Sequence, residues 1–240
     1  MMQLVSIQVG RPQTVGPTGD GGAWDRAWRT AFWKAAVSGP VRLRAANLDG
    51  DRQADLRVHG GPDQAVLCYS AEHYPWWRRE LGLPEMPHGG FGENFTVSGQ
   101  DELSVCIGDV YEVGEGLVQV SAPRGPCYKI SWRWRRPDLL ERVEETGRQG
   151  WYLRVLREGL VEAGQPLRLT SRPHPEWTIR RAADVIRLRK REPEPARRLA
   201  ACEELGARSR ARLLRDLTLR LPPTAPPHAR GWRPGEGIIR

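Results

Sequence analysis

Short apolar runs separated by glycine and proline are the feature that most limits how this chain can fold. The 240 residues include 26 glycines and 20 prolines, which break residues 1–172 at short intervals. Runs this short favour strands joined by tight turns over long helices. The predicted strands alternate in hydrophobicity or are rich in apolar and β-branched residues; they are Gln3–Val9, Val41–Arg44, Ala65–Tyr69, Phe95–Val97, Asp109–Val113, Leu117–Val120, Trp151–Leu156 and Gln165–Leu169. The pattern predicts a mainly β domain over residues 1–172, built as a barrel or a sandwich.

Two helices are expected to interrupt these strands. The first covers Glu72–Leu81, with Pro75 in the first turn, where proline is tolerated, and Gly82 as a C-terminal stop. The second covers Pro137–Thr146, because proline suits the first helical position and Gly147 then ends the helix.

The chain changes character after 172-RPHPEW-177. Three segments with helical periodicity follow, Thr178–Arg189, Ala196–Leu205 and Arg208–Leu219. We therefore predict a three-helix appendage over residues 173–221. The Pro/Gly-rich tail, residues 222–240, is expected to be extended or disordered.

The net charge of +8 lies entirely in this C-terminal part. Residues 1–172 contain 21 Lys/Arg and 21 Asp/Glu, whereas residues 173–240 contain 16 and 8. A basic helix in 204-ELGARSRARLL-214 is one possible nucleic-acid contact. Solvated basic helix faces are commoner, so nucleic acid is the less favoured partner.

The four cysteines, Cys68, Cys106, Cys127 and Cys202, show no CxxC pair and no zinc-finger spacing. We expect free thiols in a reducing, cytoplasmic setting. The N-terminus does not follow the signal-peptide pattern, and no apolar run is long enough to span a membrane. A membrane partner is therefore not expected.

The stretch 122-APRGPCYKI-130 places Cys127 in a Pro/Gly-rich loop between Arg124 and Lys129. Neighbouring cations stabilise a thiolate, which is the nucleophilic and metal-ligating form of cysteine. A cysteine kept only for packing remains the alternative.

Two glycine-rich stretches are further site candidates. In 53-QADLRVHGG-61, Arg57 suits an anion, and Gly60 and Gly61 beside His59 permit close backbone approach to a ligand. The alternative is a solvated β-hairpin with His59 on its surface. In 91-FGENFTV-97, Asn94 can bind the amide-like edge of a ligand or cap its own turn.

Taken in order, these motifs resemble the MOSC domain family, named for the C-terminal region of molybdenum cofactor sulfurase, and most closely its YiiM-like branch. The appendage resembles the three helices that accompany this branch. The stretches that carry the resemblance are Asn47–Asp51, 53-QADLRVHGG-61, 91-FGENFTV-97, 107-IGDVYEVG-114, 123-PRGPCYK-129 and 147-GRQGWYLRV-155.

The resemblance implies a β-barrel that binds the molybdenum–pterin cofactor (molybdopterin), with Cys127 as the metal ligand or sulfur-handling thiol. Arg124 and Lys129 would offset the negative charge of the cofactor. The same resemblance places Arg57, His59, Gly60, Gly61 and Asn94 at the pocket. Lys34 is a fainter candidate for the cofactor phosphate, and a surface lysine that ends a strand is its alternative.

The activity implied by the YiiM-like branch is reduction of small N-hydroxylated bases and related N-oxygenated compounds, R–NHOH to R–NH2 and water. His59 is the candidate proton donor. No flavin, haem or iron–sulfur motif is present in the sequence, so electrons are expected from a separate reductase, a flavoprotein.

Two rival functions remain open. In one, the chain carries the cofactor or a sulfane sulfur on Cys127 without turnover. In the other, the C-terminal helices form a nucleic-acid-binding module. These helices are otherwise expected to cover the barrel mouth, recruit the electron donor or form the contact of a homodimer.

Overall fold

A computed structural model describes residues 1–17, 19, 21 and 25–218. The prediction of an extended tail over residues 222–240 lies outside the described residues. The strands, numbered in chain order, are β1 Met2–Val9, β2 Gln13–Val15, β3 Trp28–Thr30, β4 Ala35–Ala36, β5 Val41–Arg44, β6 Asn47–Leu48, β7 Val66–Ser70, β8 Phe95–Ser98, β9 Val110–Val113, β10 Gly116–Pro123, β11 Trp151–Arg157, β12 Gly159–Val161 and β13 Pro166–Ser171. The α-helices are α1 Tyr74–Leu81, α2 Lys129–Trp134, α3 Leu139–Thr146, α4 Ile179–Leu188, α5 Pro193–Ala200 and α6 Ala207–Thr218.

Seven strands form a closed barrel in the order β13-β9-β10-β11-β7-β8-β1. The barrel closes where Met2 pairs with Leu167 and Gln3 with Pro166, in antiparallel register. Strands β7 and β8 are parallel, and the other barrel neighbours are antiparallel. The predicted mainly β barrel is confirmed. Closure pairs the edges that an open sheet would leave exposed.

Smaller sheets flank the barrel. Strand β4 extends the sheet beside β1. Strands β12, β5 and β6 form a three-stranded sheet, and β2 pairs with β3. Strand β3 ends at Thr30, which lines the cavity described below together with Ala31, Phe32 and Lys34.

Helices α1 and α3 pack beside the barrel over a second apolar cluster. Tyr69, Trp77 and Phe91 are fully buried there, and the Tyr69 and Phe91 rings stack with centroids 4.5 Å apart. Helix α1 begins at Tyr74 rather than Glu72 because Ala71–His73 forms a 3-10 turn.

Helix α2 was not expected from the sequence. Its segment, KISWRW, contains aromatic and β-branched residues, which favour strands. Helix α5 also differs from expectation, because it begins at Pro193 and ends at Ala200, after which the chain turns. Helices α3, α4 and α6 start within two residues of their predicted positions.

The C-terminal helices share the barrel's own hydrophobic cluster. Ile179, Leu199 and Leu213 are fully buried in it together with barrel residues such as Val120. The amide of Ile179 also donates to the carbonyl oxygen of Val105 at 2.8 Å. These helices therefore pack as part of one core, and the boundary at residue 172 stays a prediction. None of the helices among the described residues has the length and apolar composition needed to cross a membrane.

Candidate functional site

A cavity opens beside the barrel where several loops converge. Its wall is built from segments 30–34, 52–54, 59–60, 91–94 and 124–129, and from single residues on neighbouring elements. Cys127, His59 and Lys34 lie in this wall although they are distant in sequence. Glycine-rich loops dominate the wall, which brings backbone groups close to the cavity.

Cys127 lies between β10 and α2. The barrel strand ends at Pro123, and the amide of Ile130 donates to the Cys127 carbonyl oxygen at 3.0 Å, which starts the helix. The thiol is free and half-buried. It therefore lines the cavity from the junction of a strand and a helix.

Arg124 is a buried cation without an acidic partner. It is 4% exposed, and its Nη1 reaches the Gln149 carbonyl oxygen only at 3.5 Å. No carboxylate among the described residues forms an ion pair with it. A buried unpaired guanidinium is costly, so its place in a cavity wall indicates a site for an anion.

Lys34 is buried in the same wall. Its side chain is 8% exposed and its Nζ lies 2.5 Å from Asp51 Oδ1, which also accepts from the Gly10 amide. Burial lowers the pKa of Lys34, against the attraction of Asp51 and Glu93. The interpretation of Lys34 as a surface lysine is therefore wrong, because Asp51 holds it at the cavity.

His59 is half-buried in the opposite loop. Burial lowers the pKa of His59, and the charges of Lys129 and Arg124 lower it further. Gly60 follows with φ +82° and lines the cavity, and a Cβ there would lie 3.1 Å from the side-chain oxygen of Gln53. This loop thus brings a largely neutral imidazole close to two cations.

Comparison with known proteins identifies the family. Residues 55–168 match the MOSC domain. The chain is 43% identical over 169 residues to the uncharacterized protein YflK of Bacillus subtilis, covering 70% of this chain and 73% of YflK. The chain belongs to the MOSC domain family.

Structural comparison places this MOSC protein in the YiiM-like branch. The crystal structure of YiiM from Geobacillus stearothermophilus matches with a TM-score of 0.75 and 33% identity, covering 90% of this chain and 100% of that one. A protein of Gibberella moniliformis named "Reductase" is 39% identical over 165 residues, which are 67% of this chain and 29% of that protein.

Two predicted site residues of this MOSC chain do not line the cavity. The side chain of Arg57 is 88% exposed and pairs with both carboxylate oxygens of Asp55, at 2.9 and 2.8 Å. Gly61 lies at the start of the 3-10 turn Pro62–Gln64, outside the wall. The expectation for these two positions is corrected, because Asp55 holds the guanidinium in its own turn, facing solvent.

Asn94 lines the cavity but uses its amide to hold the wall. Its Oδ1 accepts from the Leu67 amide and its Nδ2 donates to the Gln8 carbonyl oxygen, both at 3.2 Å. The Nδ2 group carries two hydrogens, so its second N–H is left for a ligand.

Sequence reasoning missed the residue that organises this loop. Glu93 is fully buried and accepts from the amides of Gly89 and Phe91, the Thr96 hydroxyl and the Tyr74 hydroxyl. An acidic residue inside the glycine-rich run 89-GGFGEN-94 was the available signal. Such a residue satisfies the exposed amides of a tight loop.

Proposed function

We propose that this MOSC protein binds the molybdenum–pterin cofactor in the cavity and reduces N-hydroxylated compounds. R–NHOH takes up two electrons, supplied by the separate reductase, and two protons, one through His59 and one from solvent, and yields R–NH2 and water. The observation that carries the proposal is Arg124, a buried cation without a carboxylate, three residues from the Cys127 thiol in the same wall. The reductase name of the Gibberella moniliformis relative supports the reaction class.

The wall has the donor set that this cofactor needs. Its phosphate is an anion, and Arg124 and Lys34 are buried cations in the wall. A thiolate from Cys127 is a soft ligand of the kind that metal sites rich in sulfur accept. Gly60 and Gly92 line the wall with positive φ, a backbone conformation that glycine adopts without strain.

When bound, the cofactor supplies the two-electron redox chemistry. The chain's own groups hold it and handle protons. Cys127 would ligate the metal, Arg124 and Lys34 would bind the phosphate, and the side-chain amide of Asn94 would be the group available to the pterin. Reducing equivalents come from a separate flavoprotein, because the sequence has no motif for a flavin, a haem or an iron–sulfur cluster.

His59 is proposed to donate the proton that leaves with the hydroxyl oxygen. The lowered pKa makes free His59 a weak proton carrier at neutral pH, first because it is buried and then because Lys129 and Arg124 are near. An anion bound to those two cations would offset their charge and raise the pKa toward neutrality. Ligand binding would therefore prepare the proton donor.

The deciding experiment is the molybdenum content of the purified chain and of Cys127→Ala, both made in a host that synthesises the cofactor. We expect near-stoichiometric metal in the parent and loss in the variant. Cys202→Ala, at a buried thiol on the C-terminal side, is the matched control and should keep the metal. Metal retained by Cys127→Ala would refute the ligand assignment.

Turnover is then measured with an N-hydroxylated purine and reduced methyl viologen as the artificial electron donor. Amine production by the parent, lost in Cys127→Ala, is expected. Bound metal without turnover would instead make the protein a cofactor carrier.

A further inference from the structure

The cavity mouth has a rim of cations supplied by three separate elements. Arg52 follows β6, Lys129 begins α2, and Arg208 lies in the first turn of α6. Arg52 and Lys129 belong to the cavity wall. Arg208 is exposed, and its Nη2 lies 3.4 Å from the carbonyl oxygen of Leu56, in the loop that carries His59.

The charges of the rim cations are not neutralised by the chain. No carboxylate of the described residues forms an ion pair with any of the three. Lys129 instead donates to the carbonyl oxygen of Arg29 at 3.1 Å, and Arg52 donates to that of Asp51 at 2.8 Å. Their positive charge is therefore available to a ligand.

The acidic side chains beside the rim already bind other cations. Asp51 binds Lys34, Asp49 binds Arg44, Asp55 binds Arg57 and Asp63 binds Arg154. The charge of Arg52 also reaches Asp49, whose pKa is lowered first by its hydrogen bond to Arg44. The three rim cations therefore form no ion pair of their own.

The field of Arg208 reaches the cavity. Its charge is among those that lower the pKa of His59, after burial, Lys129 and Arg124. It also opposes the rise in the pKa of Tyr152 that burial causes. Both affected residues line the cavity, and the contact of Arg208 with the Leu56 carbonyl oxygen places its guanidinium against the loop that carries His59.

Inner and outer cations have different tasks in the proposed function. Arg124 and Lys34 are buried in the wall and suit the cofactor phosphate, whereas Arg52 and Arg208 are exposed at the entrance.

We propose that Arg52, Lys129 and Arg208 select N-hydroxylated bases that carry an anionic group, with a nucleoside monophosphate favoured over the uncharged nucleoside. The reaction in this inference rests on the proposed reductase function. The preference for an anionic ligand rests on the rim cations alone. Arg208 is the discriminating residue because it is contributed by α6 and lies outside the wall that holds the cofactor.

The turnover test compares N6-hydroxyadenosine 5′-monophosphate with N6-hydroxyadenosine. We expect kcat/KM to favour the monophosphate by about tenfold at low salt, the order of effect of one charge-assisted contact. The preference should shrink at high salt. In Arg208→Gln the ratio should fall toward one, through a higher KM for the monophosphate.

Arg168→Gln is the matched control. Arg168 is an exposed arginine on β13, where it pairs with Glu112 at 2.9 Å, and it does not line the cavity. This variant should keep the parent ratio. The inference would be overturned if the kcat/KM ratio of monophosphate to nucleoside were the same in Arg208→Gln as in the parent. That result would leave the reductase function intact.

A binding measurement separates the two ideas. Calorimetry with adenosine 5′-monophosphate and with adenosine requires no turnover. We expect tighter binding of the monophosphate, lost in Arg208→Gln and kept in Arg168→Gln. Equal affinities in the parent would overturn the inference, whereas a preference without any reduction of either substrate would support the rim and refute the reductase function.

Discussion

The two glycine-rich walls of the cavity look alike in sequence and differ in structure. Residues 89–94 are all buried, and their amides are bound by Glu93. Residues 53–61 are all half-buried or exposed, and several of their hydrogen bonds are internal, such as His59 to the Asp55 carbonyl oxygen. The first wall fixes the shape of the cavity, and the second presents His59 to the ligand.

Helix α2 strengthens the buried wall from outside. Arg133 donates through Nη1 to the carbonyl oxygens of Gly89 and Phe32, at 2.8 and 2.9 Å. One side chain thus ties the helix that follows Cys127 to two other wall segments. Polar groups gathered in this way give a wall whose parts depend on each other.

Removal of Glu93 should produce the largest effect. We expect Glu93→Ala to lower the free energy of unfolding by about 3–5 kcal/mol, because it leaves buried amides and hydroxyls without an acceptor. Urea denaturation measures the change. Glu112→Ala, which removes the half-buried partner of the exposed Arg168, should cost about 1 kcal/mol or less. Similar losses in the two variants would show that Glu93 does not hold the wall.

Alanine at one glycine of each wall tests the difference directly. Gly92 and Gly60 have φ of +78° and +82°, so each substitution costs about 1–2 kcal/mol in backbone strain. A Cβ at Gly92 would lie 3.0 Å from the Phe32 ring, whereas one at Gly60 meets only the flexible side chain of Gln53. We expect Gly92→Ala to exceed Gly60→Ala by about 1 kcal/mol in denaturation experiments. Equal losses would mean that both walls yield equally.

Much of the fold follows from local pattern. Val41–Arg44 has its predicted bounds because alternation marks a half-buried strand, and Gly82 ends α1 with φ +64° as a glycine stop should. Helix α2 could not be found in this way, since its residues prefer strands. Its position after the Cys127 loop and the burial of Ile130 override that preference.

The site shows the same division. The Cys127 loop was visible from composition alone, whereas the burial of Lys34 depends on Asp51, which only the folded barrel brings to it. The orientation of Arg57 toward solvent, by contrast, is predictable from the neighbouring sequence. Asp55 stands two residues earlier and pairs with it inside one turn. Contacts between distant residues therefore decide which charged groups enter the cavity.

Arg124 should be a residue whose removal stabilises the ligand-free protein. We expect Arg124→Met to raise the free energy of unfolding by about 1 kcal/mol, because a buried unpaired guanidinium is replaced by an apolar side chain. Inorganic phosphate should stabilise the parent and not the variant. Arg57→Met, at an exposed arginine, should change neither quantity measurably. Destabilisation by Arg124→Met would show that the chain itself satisfies this cation.

The smallest expected effect is a pH dependence of stability that arises from His59, in the half-buried and exposed wall formed by residues 53–61. The pKa of His59 is below its ordinary value of 6.5, first through burial and then through Lys129 and Arg124. The unfolded chain therefore takes up a proton at His59 before the folded chain does. Stability is lost as the pH falls from about 6.5 to the lowered pKa, and no further below it.

Denaturation of the parent and of His59→Gln at pH 7.5 and pH 5 isolates this contribution. We expect the parent to lose stability relative to the variant as the pH falls, since the variant lacks the titrating group. Inorganic phosphate should reduce that loss, because an anion on Lys129 and Arg124 removes part of what lowers the pKa. A loss that phosphate leaves unchanged would mean that the bound anion does not offset the cations beside His59. In that case ligand binding would not raise the pKa of His59, so the wall of residues 53–61 would not supply the proposed proton donor. Only the buried wall of residues 89–94 would then shape the site.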